Sequence, residues 1–548
     1  MKRYQKANEG IHAPEEVKEN AVRPSQKRPY TRWMGAVAAV LAVAIIGGIA
    51  LWPGRAGGPT ALSNEHPENS IQPRTGPGAD GAGRSPGESV PTYGNGSHKA
   101  FALVEAVYQL PEVEEPPMPT WSDFHSDNED EEAFQQAENA WWEALEARSK
   151  IVNAARYKLA ENRTIGGFIT ASTAQFLTGA GEDNRVYSPL NLYMALAMLA
   201  ETAGGDSRQQ ILDALGADSI EALREDAAAV WQNYYQDDDM GISVMANSLW
   251  LRDDMSYSQD TLDTLAANYY ASSFAGEMGS AGYDQALRDW VNEQTRGVLT
   301  EQADGLSFDP ATVLGLVSTL YFKAAWSDPF NPDSNTRGVF HSPDRDVEAE
   351  YLHYGEWFHT QYYWGEHFSA IGLGFQTGSY RMWLILPDEG YTVDELVAGG
   401  EAMEFLMWDK YGVYDRETDE YVGAWPNQEF LRVNLSLPKF DVSSDLELAD
   451  GLKALGITDV FDSTVSNFDP LGASTDDPLC VGKAGHAARV MIDEEGCTAA
   501  SYVDLMLCGA APPPDEIVDF TLDRPFLFAI TGNSNLPLFL GVVNQPNG

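Results

Sequence analysis

The chain has 548 residues, a net charge of −47 and three cysteines, Cys480, Cys497 and Cys508. This acidity argues against binding to nucleic acid or to anionic lipid head groups and favours cationic partners. Three cysteines are too few for a disulfide framework and form no metal-ligand pattern, so neither a metal nor a cofactor is expected. Only the part after about residue 160 has the pattern of a densely packed chain, which predicts one large domain.

The N-terminus combines a basic segment, residues 1–33, with an uncharged segment, residues 34–52. As an α-helix the uncharged segment would be about 28 Å long at ~1.5 Å per residue, which matches a bilayer core. The preceding basic residues predict a single-pass signal-anchor whose N-terminus lies in the cytoplasm, with the rest on the extracellular face of the membrane. A cleaved signal peptide ending near residues 48–50 is the alternative, and the protein would then be secreted.

Two further segments precede the large domain. Residues 53–100 are rich in Gly, Pro, Ser and Asn and predict a disordered linker. Residues 101–165 form an acidic extension, in which apolar residues recur with helical spacing from about residue 131 to residue 159. We expect this helix to pack on the domain behind it, and a partner-binding role for Trp141 and Trp142 is the alternative.

The domain over residues 166–548 begins with helical patterns and continues mainly with strand patterns, an order that predicts an α+β fold. The predicted helices are residues 168–177, 190–202, 208–215, 258–270 and 283–295. The predicted strands are residues 244–251, 315–323, 361–374, 382–386, 431–437, 489–492, 526–530 and 538–543.

A long segment of small residues near the C-terminus points to function. Alternate positions from Cys497 to Leu507 are small or apolar, so they could all face an interior if this loop became a strand. The three prolines at 512–514 have no backbone N–H, so the chain cannot donate hydrogen bonds to a neighbouring strand at these positions. A loop this long within a compact domain indicates function or disorder.

Six motifs in order resemble the serpin family, from about residue 166 to residue 546. They are Asn-Arg-Val-Tyr-Ser-Pro at 184–189 with the helix after it, Trp-Val-Asn at 290–292, Leu-Tyr-Phe-Lys-Ala-Ala-Trp at 320–326, Leu-Pro-Lys-Phe at 437–440, Asp-Arg-Pro-Phe at 523–526 and Leu-Phe-Leu-Gly at 538–541. The resemblance implies a metastable fold of three β-sheets and eight or nine helices with an exposed reactive-centre loop.

The resemblance also implies the activity of a suicide inhibitor of extracellular serine proteases, with a cysteine protease as the alternative target. Loop cleavage is followed by trapping of the acyl-enzyme and by insertion of the loop into the central sheet. The protein would be a bacterial, membrane-anchored member of the family. It would be a monomer and would have no catalytic residue of its own.

Residues of the loop receive roles from the same resemblance. The hinge comprises Glu494, Gly496, Cys497, Thr498, Ala499, Ala500 and Ser501. Its inward positions are small and uncharged, as burial in a dry sheet requires, which favours true inhibition. The reactive bond is assigned to Ala510 and Ala511 within the window of residues 508–511. Since alanine fits the shallow primary pocket of elastase-like and subtilisin-like proteases, these are the expected targets.

One departure from the family pattern predicts a cluster that controls sheet opening. The family usually has serine at the position of Asn191 and asparagine at that of Ser318, and here the two are exchanged. An exchange preserves the donors and acceptors around one imidazole, so Asn191, Ser318 and His486 are expected to form one hydrogen-bonded cluster with Ser188 close by. A satisfied core histidine is the alternative for His486. Lys323 and Trp326 are expected where the loop enters the sheet, with Trp326 in a packing role.

Two other functions are weighed against inhibition. A non-inhibitory serpin that acts as an extracellular binding protein is the first, because Cys497 replaces the usual Thr or Ser. A hydrolase is the second, and it lacks support because neither a Gly-x-Ser-x-Gly nor a His-Glu-x-x-His motif occurs. The protein is therefore predicted not to be an enzyme.

Overall fold

The structure is a computed structural model that describes residues 40–51, 96–104, 106, 128–161, 163–238, 240–354, 358–410, 413–415, 420–472, 478–496 and 516–546. Its strands are β1 (Val40–Leu51), β2 (Ala102–Val104), β3 (Arg185–Tyr187), β4 (Gln236–Asp238), β5 (Gly241–Arg252), β6 (Ala271–Gly276), β7 (Thr312–Ala324), β8 (Thr336–His341), β9 (Asp346–His353), β10 (His359–Trp364), β11 (Phe368–Gly374), β12 (Arg381–Pro387), β13 (Val413–Asp415), β14 (Glu420–Val422), β15 (Gln428–Pro438), β16 (Phe440–Glu447), β17 (Leu479–Ile492), β18 (Ile517–Thr521), β19 (Phe526–Thr531) and β20 (Pro537–Val543).

The described residues also contain eleven α-helices and four short 3-10 helices. The α-helices are α1 (Asn128–Glu161), α2 (Arg163–Leu177), α3 (Pro189–Thr202), α4 (Gly205–Leu215), α5 (Ile220–Tyr234), α6 (Gln259–Tyr269), α7 (Ala281–Gln294), α8 (Thr300–Asp304), α9 (Val393–Ala398), α10 (Glu401–Met407) and α11 (Ala449–Ala454). The 3-10 helices are Ser97–Phe101, Pro332–Ser334, Asp459–Phe461 and Asp469–Leu471. The predicted α+β class with three sheets is confirmed.

The first sheet, called the central sheet below, has the strand order β16-β17-β1-β7-β5-β6-β2, with β4 paired to β5. Both faces of β7 are covered, and twelve of its thirteen residues are buried. This explains its nearly continuous apolar sequence, because a strand buried on both faces loses the alternation of a half-exposed strand. The other two sheets have the orders β3-β20-β19-β12-β11-β10-β15-β9-β8, with β18 paired to β15, and β13-β14.

Two helices lie at the core of this arrangement. Every residue of α3 is buried, in keeping with a helix that is apolar at all but a few positions. Helix α7 instead buries one stripe, which includes Tyr283 and Trp290. The rings of these two residues contact Trp250 of β5 at centroid distances of 5.3 and 6.4 Å. Helix α7 is thereby fixed against β5 in the central sheet.

The transmembrane helix predicted over residues 34–52 is not found. Residues Val40–Leu51 form the extended strand β1, and no helix among the described residues is long and apolar enough to span a bilayer. A run that is apolar at every position has no periodicity that separates a helix from a fully buried strand. Its valines, isoleucines and two adjacent glycines also disfavour a helix.

The acidic extension packs on the domain, as the helical spacing predicted. In α1, Ala155 and Leu159 are buried in the main core, and Lys158 lies 2.9 Å from a carboxylate oxygen of Glu225 in α5. Trp142 remains 52% exposed. Further upstream, β2 pairs with β6 and adds an edge strand to the central sheet.

Candidate functional site

Strand β17 ends in a turn that precedes the predicted reactive loop. The backbone N–H of Trp326 donates to the carbonyl of Glu495 at 3.1 Å, and that of Phe330 donates to the carbonyl of Glu494 at 2.8 Å. Gly496 has φ +90°, and an added Cβ would lie 2.5 Å from the backbone nitrogen of Trp326. Glycine is therefore required where the chain leaves the sheet.

Four polar side chains surround this turn and are called the hinge cluster: Asn335, Glu350, Lys439 and Glu494. The ammonium of Lys439 lies 2.5 Å from Glu494 and 3.2 Å from Glu350, and Asn335 donates to both carboxylates. Burial opposes both charges, but the mutual hydrogen bonds outweigh it, raising the pKa of Lys439 and lowering that of Glu494. The cluster holds the first hinge residue to Lys439, which lies between β15 and β16.

Trp326 closes the other side of the turn. It is fully buried, its ring is stacked on Phe375 at 4.7 Å, and its indole N–H donates to the carbonyl of Asp493 at 3.0 Å. Burial raises the pKa of the Asp493 carboxyl to about 6. The expected packing role of Trp326 is thus accompanied by a hydrogen bond to the strand that carries the loop. Lys323 lies further along β7, half-buried and opposite Ile242.

The four residues predicted to control sheet opening lie together in the interior and are called the central cluster: Ser188, Asn191, Ser318 and His486. The side-chain amide of Asn191 donates to the Ser318 hydroxyl at 2.8 Å. The backbone N–H of Ser188 donates to Nε2 of His486 at 2.9 Å. The Ser188 hydroxyl accepts from the N–H of Asn191 at 3.1 Å and caps α3. The N-terminus of α3 therefore joins β7 to β17.

This geometry modifies the prediction of one cluster around the imidazole. His486 is bonded to the backbone of Ser188, whereas Asn191 is bonded to Ser318. Strand β1 lies between the two strands, and Ala44 is opposite Ser318 on one side and His486 on the other. With a strand between them, β7 and β17 are too far apart for one side chain of α3 to bridge. Control of sheet opening by these residues stays a prediction.

Comparison with known proteins places this geometry in a family. Residues 168–546 match the family described as Serpin (serine protease inhibitor). The chain is a serpin. It is 27% identical over 387 residues to neuroserpin of Mus musculus, covering 68% of this chain and 88% of that protein. It is also 27% identical over 388 residues to Serpin-ZX of Arabidopsis thaliana, covering 67% of this chain and 94% of that protein.

Solved serpin structures share the fold. The thermophilic serpin tengpin in its native state has a TM-score of 0.58 at 24% identity, over 70% of this chain and 93% of that chain. Thyroxine-binding globulin in complex with thyroxine has a TM-score of 0.56 at 20% identity, over 72% of this chain and 100% of that chain. The predicted family is confirmed, and with it protease inhibition as the general activity of a protein that is not an enzyme.

The rest of the serpin loop falls outside the described residues. The hinge positions Cys497, Thr498, Ala499, Ala500 and Ser501 belong to this part, and so do the reactive-bond window 508–511 and the predicted bond between Ala510 and Ala511. Of the predicted hinge, Glu494 and Gly496 are described, and both are held at the end of β17. Their role in loop insertion stays a prediction.

Sequence reasoning missed three members of the hinge cluster, Asn335, Glu350 and Lys439. Lys439 belongs to the Leu-Pro-Lys-Phe motif, so its position was recognised but its partner was not. A signal existed, because a lysine between apolar residues, Pro438 and Phe440, requires a carboxylate partner when it is partly desolvated. The acidic hinge residue Glu494 was the available candidate.

Proposed function

We propose that this serpin inhibits elastase-like and subtilisin-like serine proteases outside the cell by cleavage and insertion of its reactive loop. The observation that carries the proposal is the end of β17. There Gly496 turns the chain out of the sheet, and the following hinge residues are small and uncharged. Such residues can enter a dry sheet without burying an unpaired charge. Alanine on both sides of the expected bond supports the choice of protease.

The structure also supports a second candidate, a non-inhibitory extracellular binding protein. Strand β1 is hydrogen-bonded to both β7 and β17. A cleaved loop would need the same two strand edges, and each edge accepts only one neighbour. If β1 stays between β7 and β17, the loop of this serpin could be cut but could not insert there, so the protease would not be trapped.

One experiment separates the two candidates. The full chain and a chain that begins at residue 95 are each incubated with pancreatic elastase and with subtilisin, and the products are separated on a denaturing gel. We expect an SDS-stable complex from both chains, forming faster with the shorter chain because β1 is absent. Nicked protein without complex from the full chain would support the binding protein, and a complex from the shorter chain alone would show that β1 is what prevents trapping. The Ala510→Pro variant is the control, since proline at the expected cut should abolish both products.

The extracellular location rests on the sequence alone, on an apolar run that follows basic residues and has the pattern of a secretory signal. We expect a full-length, C-terminally tagged protein either to appear in the culture medium or to lose its tag when protease is added to intact cells. Protection of the tag in intact cells and its loss after lysis would place the domain inside instead.

A further inference from the structure

A cavity of about 530 Å³ lies between the part of the chain before α1, helix α7 and the central sheet. Its volume falls within the range of roughly 300–1,000 Å³ that small-molecule sites usually have. Three of the residues that line it, His98, Lys99 and Ala106, precede the residues 168–546 that match the serpin family. The cavity therefore depends on a segment outside the fold that the family shares.

The segment that closes the cavity is held against β6. Residues Ser97–Phe101 form a 3-10 helix, and the buried His98 ring packs edge-on against the Phe274 ring of β6 at a centroid distance of 5.7 Å. Strand β2 follows and pairs with β6. Beyond β2, the backbone N–H of Ala106 donates to the Ser272 hydroxyl of β6 at 3.0 Å. The segment is thus attached on both sides of β2 and forms a fixed wall of the cavity.

Aromatic side chains from three elements form the inner part of the cavity. Phe274 of β6, Trp290 of α7 and Tyr321 of β7 line it, and each is at most 4% exposed. Val244 of β5 lies directly opposite Tyr321 in the strand register and lines the cavity beside it. Aromatic rings pack favourably on one another as well as on aliphatic groups. The inner part of the cavity therefore suits an apolar ligand group, and an aromatic ring best.

The same cavity is also lined by two cationic and two anionic side chains, Lys99, Arg296, Asp237 and Glu293. Lys99 is exposed, and the side chains of the other three are between 38% and 42% exposed, so the charges lie where the cavity meets solvent. Two positive and two negative groups cancel. A ligand with a net charge would leave one sign unmatched, whereas a zwitterion can pair with both.

Two of these charged groups have hydrogen-bonding capacity to spare. The guanidinium of Arg296 donates from one nitrogen to Asp237 at 2.9 Å and lies over the Tyr321 ring at 5.5 Å. A guanidinium has five N–H donors, so others remain for a ligand carboxylate. The carboxylate of Glu293 lies 3.7 Å from Nε2 of His98, which is beyond hydrogen-bonding distance. Its oxygens can therefore accept from a ligand ammonium.

We propose that this cavity is a binding site for a small zwitterion with an aromatic body, and that free aromatic α-amino acids are the class of ligand it takes. Glu293 would hold the ammonium, Arg296 and Lys99 would hold the carboxylate, and the aromatic wall would hold the side chain. Because the ligand would contact both the segment before α1 and the domain, its binding would also fasten that segment to the central sheet.

The first test varies the ligand. Isothermal titration calorimetry of the full chain compares L-phenylalanine with phenethylamine, which lacks the carboxylate, and with 3-phenylpropionate, which lacks the ammonium. We expect each analogue to bind about tenfold more weakly than L-phenylalanine, because each loses one set of charged hydrogen bonds. The net charge of −47 attracts phenethylamine non-specifically, so its weaker binding is the more stringent of the two results.

The second test varies the cavity. Glu293→Gln removes the charge that holds the ammonium and keeps the size of the side chain, and Val244→Phe fills the inner part of the cavity. Each variant should bind L-phenylalanine about tenfold more weakly. The matched control is Glu277→Gln, which changes an exposed carboxylate in the turn between β6 and α7, outside the cavity. It should bind like the unmodified chain. A circular-dichroism melt without ligand shows whether each variant is folded.

Three results would overturn the proposal. Absence of L-phenylalanine binding by the unmodified chain would overturn it as a whole. Equal affinity for an analogue that lacks one charge would overturn the zwitterion as the ligand. Unchanged affinity in Glu293→Gln and Val244→Phe would place the binding elsewhere and overturn the cavity as the site, and Glu293→Gln decides alone if Val244→Phe does not fold. The SDS-stable complex tests the proposed function separately from all of these.

Discussion

The central cluster and the hinge cluster hold the same strand, β17, by different chemistry. The central cluster is neutral, and each of its four residues is at most 1% exposed. The hinge cluster is charged, and the side chains of Lys439 and Glu494 remain 29% and 15% exposed. The central cluster bonds β17 to the N-terminus of α3. The hinge cluster bonds the turn after β17 to Lys439, between β15 and β16, and to Asn335, directly before β8.

This difference predicts where β17 is rigid and where it can be adjusted. A buried neutral hydrogen bond that loses one partner leaves a desolvated polar atom, which costs about 1–3 kcal/mol. A partly exposed ion pair that is broken can regain water at both ends and costs roughly 1 kcal/mol or less. We therefore expect β17 to be fixed at its middle and adjustable at its loop end, as an inserting strand would require.

The largest effect is expected from exchanging the central pair. Asn191→Ser and Ser318→Asn each break the 2.8 Å bond, so each should lower the free energy of unfolding by about 2 kcal/mol. The double exchange restores one amide and one hydroxyl and should recover most of that loss. Urea unfolding of the four proteins measures the coupling. Additive losses in the double variant would mean that the two side chains act independently and would remove the reason for treating the cluster as one unit.

Sequence alone predicted much of the central cluster because its members lie in recognisable motifs. Ser188 belongs to the motif that leads into a helix in the serpin family, and the exchanged Asn191 and Ser318 point to each other. The bond between Ser188 and His486 could not be predicted in the same way. Its donor is a backbone N–H, which every residue except proline carries, so no choice of side chain marks it.

Errors elsewhere have equally specific causes. Residues 361–374 were predicted as one strand, but they form β10 and β11, a hairpin that turns around Gly365. An added Cβ at Gly365 would lie 2.2 Å from the Phe368 ring, so the glycine marks the turn. Helix α5 was missed although Ser219 caps it and Leu223, Val230 and Trp231 form a buried stripe. Strand β1 was predicted as a helix because pairing partners hundreds of residues away decide its conformation.

A smaller effect is expected at the hinge cluster. Lys439→Met removes the ion pairs to Glu494 and Glu350 but keeps the apolar stem. Because Lys439 is about a third exposed, we expect a loss of about 1 kcal/mol in the free energy of unfolding. Lys453→Met is the matched control, since its pair with Asp450 is on the surface and should contribute almost nothing.

The same variant tests whether the hinge cluster restrains the loop end. Lys439→Met should increase the rate of limited proteolysis after residue 493, whereas Asn191→Ser should affect it less. If both variants were cleaved at the same rate, the middle and the loop end of β17 would be equally restrained, and the predicted difference between them would be wrong.

The last effect concerns pH and belongs to Asp493 at the junction of β17 and the hinge. Burial raises the pKa of its carboxyl from 3.8 to about 6, so the folded protein binds this proton more tightly than the unfolded chain. The resulting stabilisation is complete below the unfolded pKa and is lost as the pH rises through about 6. The lowered pKa of Glu494 and the raised pKa of Lys439 act outside the range from pH 5 to pH 7.

Asp493→Asn isolates this contribution, because asparagine resembles the protonated acid at every pH. The variant should be more stable than the unmodified chain at pH 7, and the difference should shrink towards pH 5 as Asp493 takes up its proton. Thermal unfolding of both proteins at the two pH values measures it. A difference that does not change with pH would show that the carboxyl is solvated in the folded protein. The turn after β17 would then be looser than its hydrogen bonds to Trp326 and Phe330 indicate.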